Sequence, residues 1–463
     1  KMRAANTLRV SARIVSFARC SSSRKRRGGG SECSLSTSAR RSVALFGRDV
    51  CRSSLIDTPE IDLWDEESLK EVQEGQGATF ELGSEVPSAF EEYDAALTYD
   101  VVKEKCVFCD RSDLSLLQVS GADRLSFLHN QSTATTTSLA PGSVVDTTFV
   151  NAKAGVLDLA TLLVQENSVL VLASPGNADV LLTHLEKHIF PRDDVKVTDI
   201  SQRLSVFSIF GKESGEALKQ LGMIEDLEEN KQVLLNFEGY PVVVARASGL
   251  SLPGYTWLVD SNIAVEAWKL LAEKVEAKPM GSVAYERIRV ADGRPALGKE
   301  LTEKYNPLEA GLLHCLDLDK GCSIGQETIK RIYNKKGFLR RLWGLSSDKP
   351  VEIGADVLFE GKKIGFVTSA CPDGGGQFIA LAYLKEKVNR KQFSPETGDV
   401  VVGGNEARVK SLEYVHYPDF DEEEEGKSDP GEKSAEEVEE EKRKKKAEMK
   451  ARMEEWLRQS KQA

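Results

Sequence analysis

The chain has 463 residues and a formal net charge of -11; 29% of its residues are charged and 40% are hydrophobic. It is long enough for two or three domains, and it has no apolar run of the roughly 18 residues that a membrane span needs. Residues 1–55 hold 13 Lys or Arg and 2 acidic residues, which leaves 49 basic and 71 acidic residues, a net charge of -22, for the rest. A chain this acidic repels the phosphate backbone and is a poor generic nucleic-acid binder.

The first 55 residues are rich in Arg and Ser and poor in acid, as organelle transit peptides are. A disordered basic arm, or a nuclear signal built on residues 24–27, is the alternative interpretation. Residues 56–95 turn acidic and predict a linker followed by a short helix. None of the eight cysteines falls between Cys109 and Cys315, which indicates a reducing compartment rather than a disulfide framework.

Residues 106–109 form a lone Cys-x-x-Cys. Because a zinc site needs a second pair of ligands, this motif predicts structural cysteines in a buried strand. Residues 124–129 predict a helix with an apolar face. Residues 144–150 and 156–164 predict a hairpin, with Asp158 near the start of its second strand.

Strand-like and helix-like segments then alternate up to residue 275. Strands are predicted at 169–173, 204–210, 242–245 and 255–259, and helices are predicted to begin at Asn177, Ser214 and Val265. Strand pairs separated by single helices predict α+β layers with antiparallel sheets rather than a doubly wound sheet. The sequence also has no Gly-x-Gly-x-x-Gly after a strand, no phosphate-loop motif and no His-Glu-x-x-His.

Residues 282–290 predict a helix that ends at the Asp-Gly-Arg-Pro of residues 292–295. Arg289, near this end, has two interpretations. It is a clamp for a ligand carboxylate, which a guanidinium binds with two hydrogen bonds, or it is a donor to the last carbonyls of the helix. The sequence leaves both open.

Residues 320–327 read Lys-Gly-Cys-Ser-Ile-Gly-Gln-Glu, after a predicted strand at 312–318 and before a predicted helix that begins near Thr328. The two glycines permit positive φ and close approach of another molecule. A helix start and a nearby cation both lower the pKa of a thiol, so Cys322 beside Lys320 is a candidate reactive cysteine. A tight turn with a half-buried structural cysteine is the alternative.

From Phe338 onward, short strands are predicted at 340–345, 356–359, 363–368 and 378–383, with Gly-rich turns between them. Regularly spaced short strands are typical of a small β-barrel. After about Tyr417 a mixed-charge run predicts a disordered or solvated helical tail, with a partner-binding helix as the alternative.

Four motifs carry a resemblance to a known family: Phe-Leu-His-Asn-Gln at 127–131, Gly-Ser-Val-Ala-Tyr-Glu-Arg-Ile-Arg at 281–289, Leu-Glu-Ala-Gly-Leu at 308–312, and the stretch at 320–327. Over residues 100–415 the chain resembles the YgfZ family, relatives of the glycine-cleavage T-protein, in the form found in plant and algal plastids. Ser323 departs from the family pattern, which usually has Tyr there.

The resemblance implies an α+β fold: a T-protein-like folate-binding body of antiparallel sheets with helices, followed by a small C-terminal β-barrel. The expected organisation is a transit peptide at 1–55, an acidic linker at 56–95, the folate-binding region at 96–337, the barrel at 338–417 and a charged low-complexity tail at 418–463.

The resemblance also implies a function, namely a folate-dependent accessory protein for the assembly or repair of iron–sulfur proteins in an organelle, with the chloroplast favoured over the mitochondrion. The expected cofactor is tetrahydrofolate, and the expected partners are iron–sulfur assembly or client proteins, with no nucleic acid and no membrane. Cys322 is expected to be the functional thiol and Lys320 the group that tunes it. The expected folate-site residues, of which the last three shape the turn, are Asp158, Arg289, Gly325, Gln326 and Glu327.

A true aminomethyltransferase is the rival reading. T-proteins carry paired aspartates after a Gly-Gly turn, whereas residues 155–159 read Gly-Val-Leu-Asp-Leu, so at most Asp158 corresponds to one of them. Their Tyr-Thr-Gly-Glu element is replaced by Ser-Gly-Leu-Ser-Leu-Pro-Gly at 248–254, which lacks the glutamate. Losing two carboxylates that would steer proton transfer argues against glycine cleavage. One-carbon transfer to another acceptor, and a folate sensor that acts through the acidic tail, stay as alternatives.

Overall fold

The computed structural model describes residues 67–418, apart from 91–92, 221–223, 225–226, 238, 336, 389–390 and 395–397. The predicted transit peptide and most of the charged tail lie outside these described residues, so both stay predictions. Within the described part, no helix is long and apolar enough to cross a membrane.

The helices of the described residues are α1 (Leu69–Gly75), α2 (Tyr99–Glu104), α3 (Arg124–Gln131), α4 (Ala178–Glu186), α5 (Glu213–Gln220), α6 (Ala264–Lys269), α7 (Ser282–Asp292) and α8 (Gln326–Asn334). Short 3-10 turns occur at Asp94–Ala96, Ser261–Ile263 and Leu313–Cys315, and a π-helical turn, Leu270–Lys274, continues α6.

The strands of the first part are β1 (Ala78–Thr79), β2 (Ala89–Phe90), β3 (Val107–Asp110), β4 (Ser115–Ser120), β5 (Val144–Val150), β6 (Val156–Val164), β7 (Ser168–Ala173), β8 (Lys196–Asp199), β9 (Leu204–Phe210), β10 (Gln232–Phe237), β11 (Tyr240–Ala245), β12 (Gly254–Asp260) and β13 (Lys278–Pro279). Those of the second part are β14 (Arg340–Ser347), β15 (Asp356–Phe359), β16 (Lys362–Pro372), β17 (Phe378–Lys385), β18 (Lys387–Val388), β19 (Lys391–Gln392), β20 (Val400–Val402) and β21 (Asn405–Lys410).

Two larger sheets build the body. One has the strand order β5-β6-β7-β4-β8, and the other has the order β10-β11-β12-β9-β3-β13. Every pairing in them is antiparallel except that of β13 with β3. The α+β prediction with antiparallel sheets is therefore confirmed.

The two sheets pack face to face because successive side chains on each strand point to opposite faces. In β4, Leu116 joins the core between the sheets and Leu117 joins the core on the outer face. In β9, Val206 likewise joins the core between the sheets, and Phe207 joins the core on the outer face. Strands that are buried on both faces read as nearly continuous apolar runs, as the sequence of these strands does.

Helices cover both outer faces of the sheet pair. Trp268 of α6 packs against Phe108, with ring centroids 4.5 Å apart, on the six-stranded sheet. Leu181 and Leu185 of α4 pack on the five-stranded sheet. The result is a body of four layers, helix, sheet, sheet and helix, in which the space between the sheets is available to form a site.

The C-terminal strands close into a barrel of order β14-β17-β16-β15-β20-β21, in which β21 pairs back to β14. Its interior is a core of buried apolar side chains that includes Val357, Val367 and Ala382. Helix α7 contacts the outside of this barrel, where Val290 packs with Leu342 and Tyr383. The predicted barrel is confirmed.

The structure differs from the sequence expectation in two places. Residues 312–318 do not form a strand. They begin with the 3-10 turn Leu313–Cys315, and Leu312 and Cys315 are both buried because residues three apart lie on the same face of such a turn. Residues 69–90, which fall within the expected linker, are folded, and Phe90 is buried beside Trp268.

Candidate functional site

A cavity of about 310 Å³ lies between the two sheets, next to α7. Its floor comes from β6 and β7, and its opposite wall comes from β9, β11 and β12 together with the loop after β11. Neutral hydroxyl groups are frequent on these walls: Thr161, Ser174, Ser208, Ser248, Thr256 and Ser282. A cavity of this size with mixed polar and apolar walls is typical of a site for a small molecule.

Charged side chains also line the cavity. Three guanidinium groups, from Arg111, Arg289 and Arg294, lie there with the carboxylates of Asp113 and Glu286. Arg111 pairs with Asp113, with 3.2 Å between Nε and Oδ1, and its guanidinium lies 4.0 Å from the centre of the Tyr285 ring. A ligand here would meet an aromatic surface beside a cluster of mixed charge.

Arg289 uses all five of its N–H groups on protein acceptors. Nε and Nη2 donate to the two carboxylate oxygens of Glu286 at 2.8 and 2.6 Å. Nη1 donates to Glu300 at 3.2 Å and to the carbonyl of Arg294, and Nη2 also donates to Ser369 Oγ of the barrel at 2.9 Å. Arg289 lines the cavity, but a ligand carboxylate would have to displace one of these partners.

Glu286 is the carboxylate of α7 that faces the cavity. Burial raises its pKa, but hydrogen bonds from Arg289 and Lys299 outweigh burial, so the pKa of Glu286 is lowered overall. The Lys299 ammonium lies 2.7 Å from its Oε1. Glu286 is therefore an ionised carboxylate in the cavity wall.

Asp158 lies behind the floor of the cavity and is fully buried. Its carboxylate accepts hydrogen bonds from Ser174 Oγ at 2.6 Å, from Asn177 Nδ2 at 2.6 Å and from the backbone N–H of Leu159 at 2.8 Å. Burial raises the pKa of Asp158, and these donors oppose that effect. Of the residues in this network, Ser174 and Leu159 reach the cavity wall, so Asp158 positions the wall from behind.

The loop after β11 brings Ser248 and Gly249 to the cavity. Ser248 Oγ donates to the carbonyl of Leu252 at 2.6 Å, which holds the loop closed on itself. Ser251 of the same loop points away from the cavity and donates to the buried carboxylate of Asp292. That carboxylate also accepts a hydrogen bond of 2.8 Å from Tyr99 Oη. This loop contributes hydroxyl and backbone groups to the cavity, and no carboxylate.

Residues 320–327 form a turn on another side of the body. Lys320 is buried, and its ammonium donates to three backbone carbonyls around the end of α3, those of His129, Ser132 and Ala134. Burial lowers the pKa of Lys320 to about 8. All three N–H groups of the ammonium are used, so this lysine holds the turn against α3.

Cys322 is exposed and unpaired, whereas Cys106, Cys109 and Cys315 are buried. The preceding Gly321 sits beside the His129 ring, since a side-chain carbon on it would lie 3.4 Å from Nε2. Burial and the charge of Lys320 lower the pKa of His129. An accessible thiol therefore lies on a turn that has a neutral imidazole beside it and a buried ammonium holding it in place.

Gly325 adopts a φ of 73°, and its backbone packs closely against the turn of the β5–β6 hairpin. A Cβ there would lie 2.8 Å from Val150 Cγ2 and 2.9 Å from the carbonyl oxygen of Asn151. Gln326 begins α8 and donates from Nε2 to the carbonyl of Lys320 at 2.7 Å, which closes the turn, while Glu327 is exposed.

The structure thus separates the predicted site residues into two groups. Arg289 lines the cavity and Asp158 supports its floor, whereas the wall of the cavity contains none of the described residues 320–327. Sequence reasoning missed Glu286 of α7, Arg294 just after it, and Arg111, which comes from a distant segment. The Asp-Gly-Arg-Pro motif was the available signal for Arg294, because the glycine turn at the end of α7 places the following side chain beside the helix.

The fold and the sequence identify the class of protein. The family model described as GCVT N-terminal domain matches residues 69–320, more than half of the chain, and the chain belongs to this family. It has an aminomethyltransferase-like fold: the crystal structure of glycine cleavage system aminomethyltransferase T from Bartonella henselae superposes with a TM-score of 0.65 at 20% identity, over 75% of this chain and 95% of that one.

Three individual relatives show how similar this chain is to named proteins. A protein of Arabidopsis thaliana named "Putative transferase At1g60990, chloroplastic" is 36% identical over 346 residues, which cover 73% of this chain and 78% of the relative. The aminomethyltransferase of Staphylococcus carnosus is 27% identical over 78% of this chain and 97% of the relative, and that of Halalkalibacterium halodurans is 27% identical over 68% and 86%.

Proposed function

We propose that this protein binds tetrahydrofolate in the cavity between its sheets and serves the assembly or repair of iron–sulfur proteins in the chloroplast. The observation that carries the proposal is the pairing of two features: a small-molecule cavity in an aminomethyltransferase-like body, and an exposed thiol on a separate glycine-bracketed turn. Named aminomethyltransferases among the relatives support the folate part, and the YgfZ-like motif around Cys322 supports the iron–sulfur part.

The chemistry of the cavity walls supports tetrahydrofolate as the ligand. Its volume of about 310 Å³ lies at the lower end of the range for small-molecule sites, and it offers hydroxyl groups and the Tyr285 ring for a polar, flat molecule. Tyr285, Ser248 and Arg111 would hold the cofactor, with Asp158 fixing the wall through Ser174. Tetrahydrofolate, when bound, supplies the nitrogen atoms that carry one-carbon units.

Cys322 is proposed as the thiol through which the protein meets an iron–sulfur cluster or a client protein. Thiolates are the usual ligands of such clusters, and a ligand for a cargo has to be accessible. Cys322 is exposed, and Gly325 anchors its turn to the β5–β6 hairpin. Lys320 is proposed to tune the thiol by its charge, and Gln326 and Glu327 to shape the turn.

The proposed location rests on two observations. The basic, Ser-rich composition of residues 1–55 is that of a transit peptide, and the Arabidopsis relative is named as chloroplastic. Imaging of the full chain fused to a fluorescent protein tests the proposal. Signal in the mitochondrion would replace the chloroplast with the alternative, and signal in the nucleus would favour the basic-arm interpretation.

Calorimetric titration of the full chain with tetrahydrofolate tests the cavity. We expect saturable binding at one site. The variant Ser174→Ala removes a donor to Asp158 and a polar group of the wall, and it should weaken binding, while Ser126→Ala on the exposed side of α3 should leave it unchanged. A wild-type protein that does not bind would leave the fold without its proposed ligand.

Rescue of iron–sulfur enzyme activity in cells that lack this protein tests the thiol. Cys322→Ala should fail to rescue, whereas Cys371→Ala, which removes a half-buried cysteine of the barrel, should succeed. Full rescue by Cys322→Ala would refute the thiol role. A chain that ends at residue 419 should also rescue, and its failure would favour the sensor that acts through the acidic tail.

A one-carbon transferase with another acceptor is the second candidate, and Glu286 favours it. This residue places an ionised carboxylate in the cavity, where it could stabilise positive charge on a reacting folate nitrogen. The candidate predicts turnover of methylene-tetrahydrofolate with an amine or thiol, and loss of that turnover in Glu286→Gln. Binding without turnover over a panel of such acceptors would count against it.

A further inference from the structure

Arg294 stands apart from the other cationic groups of the cavity. It follows Gly293, whose φ of 91° ends α7, and its guanidinium lines the cavity. Its Nε is buried without a hydrogen-bond partner. Among the residues that the structure describes, the Arg294 side chain has no hydrogen bond and no carboxylate within ion-pair distance; its contact is with the Tyr414 ring, 5.7 Å away.

The two neighbouring guanidinium groups, unlike that of Arg294, are paired with carboxylates. Arg289 is bound by Glu286 and Glu300, and Arg111 is paired with Asp113. Arg294 instead experiences the repulsion of Arg111, and the attraction of Asp146 acts on it from outside the ion-pair range. The Arg294 side chain is partly exposed, and its Nε is cut off from water. Because a partly desolvated charge without a partner is costly, folded proteins retain such a group where something else supplies the opposite charge.

We propose that Arg294, with Arg111 beside it, binds an acid group, carboxylate or phosphate, of the compound that occupies the cavity. Guanidinium groups suit this task because they present paired N–H donors to two oxygens of one anion. The inference deepens the proposed function and rests on it for the rest of the ligand. The acid group has two possible sources: the glutamyl part of tetrahydrofolate, or a second reactant that carries its own acid.

The test uses the full chain in three forms. Arg294→Met removes the charge and keeps the length of the side chain. Arg203→Met, at an exposed position before β9, removes one charge away from the cavity and serves as the matched control. The probes are tetrahydrofolate, which carries carboxylates, and 6-methyltetrahydropterin, which has the same reduced ring and no acid group. Acetate and inorganic phosphate are added to protein saturated with 6-methyltetrahydropterin.

If the acid group belongs to folate, Arg294→Met weakens binding of tetrahydrofolate by tenfold or more and leaves that of 6-methyltetrahydropterin unchanged, since a charge-assisted hydrogen bond corresponds to about this factor. If the acid group belongs to a second reactant, each pterin binds with the same affinity to all three forms. Acetate or phosphate then raises the melting temperature of wild type and Arg203→Met but not that of Arg294→Met. Either result supports the proposal. Equal behaviour of all three forms toward every probe overturns it.

A melting experiment without ligand separates this role from a structural one. Because Arg294 has no acceptor in the described part of the protein, Arg294→Met should melt at the wild-type temperature or above it. A marked drop would mean that the side chain holds the fold, and it would overturn the proposal. If wild type binds neither pterin, the proposed function fails, but the comparison of acetate and phosphate on wild type and Arg294→Met still decides the anion site.

Discussion

At the scale of single residues, the Arg289 guanidinium joins three parts of the molecule. It binds Glu286 on its own helix, Glu300 in the segment after that helix, and Ser369 on the barrel. Glu300 and Ser369 are themselves linked by a 2.7 Å hydrogen bond. The sequence allowed Arg289 to be a ligand clamp or a helix-end donor; the structure gives it a network that neither interpretation contained.

Replacing Arg289 should therefore affect folding as well as any ligand. We expect Arg289→Ala to lower the free energy of unfolding by about 3–5 kcal/mol, because Glu300 is left as a buried charge without its partner. Urea unfolding followed by circular dichroism measures this change. The double variant Arg289→Met with Glu300→Gln removes both charges and should recover part of the loss; a double variant no more stable than Arg289→Ala would contradict this account.

Exposure should decide the reactivity of the cysteines. Burial raises the pKa of the buried Cys106 to about 12 and that of the half-buried Cys371 to about 11, whereas Cys322 is exposed. We expect iodoacetamide to modify Cys322 first among the described cysteines of the native protein, because access and thiolate fraction govern the rate. Peptide mass spectrometry over time measures the order. Modification of Cys109 or Cys315 at the same rate would show that the body opens readily.

At the scale of elements, the turn that carries Cys322 depends on one glycine. Gly325→Ala should destabilise the protein by about 2 kcal/mol or more, because the left-handed backbone costs about 1–2 kcal/mol and the new methyl group would meet Val150 and Asn151. Gly361→Ala is the matched control, since its φ of 75° is similar and nothing lies within 4 Å. Equal melting temperatures for the two variants would show that contact with the hairpin does not matter.

Strands buried on both faces were the most predictable elements. The predicted bounds of β5, β6 and β9 are those of the structure, because a run of large apolar residues between turn residues admits few other solutions. By contrast, β10 was missed: it is an edge strand with half-exposed and exposed residues throughout. The residues at 312–318 were misassigned because Leu316 and Leu318 alternate around Asp317 with the period of a strand, whereas the packing buries Leu312 and Cys315, which are three residues apart.

At the scale of the whole molecule, layers and barrel could be predicted, but the cavity could not. Periodicity reports which face of an element is buried, and not which elements meet. Arg111 precedes β4, Ser248 follows β11 and Arg294 follows α7, so the cavity exists only through the packing of the two sheets. Asp158, by contrast, was singled out through its motif, but its position behind the wall could be seen only in the structure.

Body and barrel should fold as one unit. Ser369 is not the only barrel residue that contacts the body. The Tyr383 hydroxyl donates to the carbonyl of Glu300, and Leu342 packs on Val290. A chain that ends at residue 337 should lack a cooperative melting transition and bind a hydrophobic dye, since it exposes these contacts. A chain that ends at Tyr417 should melt like the full protein. A sharp transition in the shorter chain would show that the body is independent.

Lys320, whose ammonium bonds the carbonyls at the end of α3, is synthesised long after the residues that it holds. Its ammonium bonds a carbonyl 191 residues earlier in the chain, and Thr133 donates to the carbonyl of Cys315 over a separation of 182 residues. At a synthesis rate of about 5–20 residues per second, the first sheet waits about 10–40 s for the segment that completes it. During that interval its apolar surface is available to chaperones, so the early part of this chain should be among the segments that they retain longest.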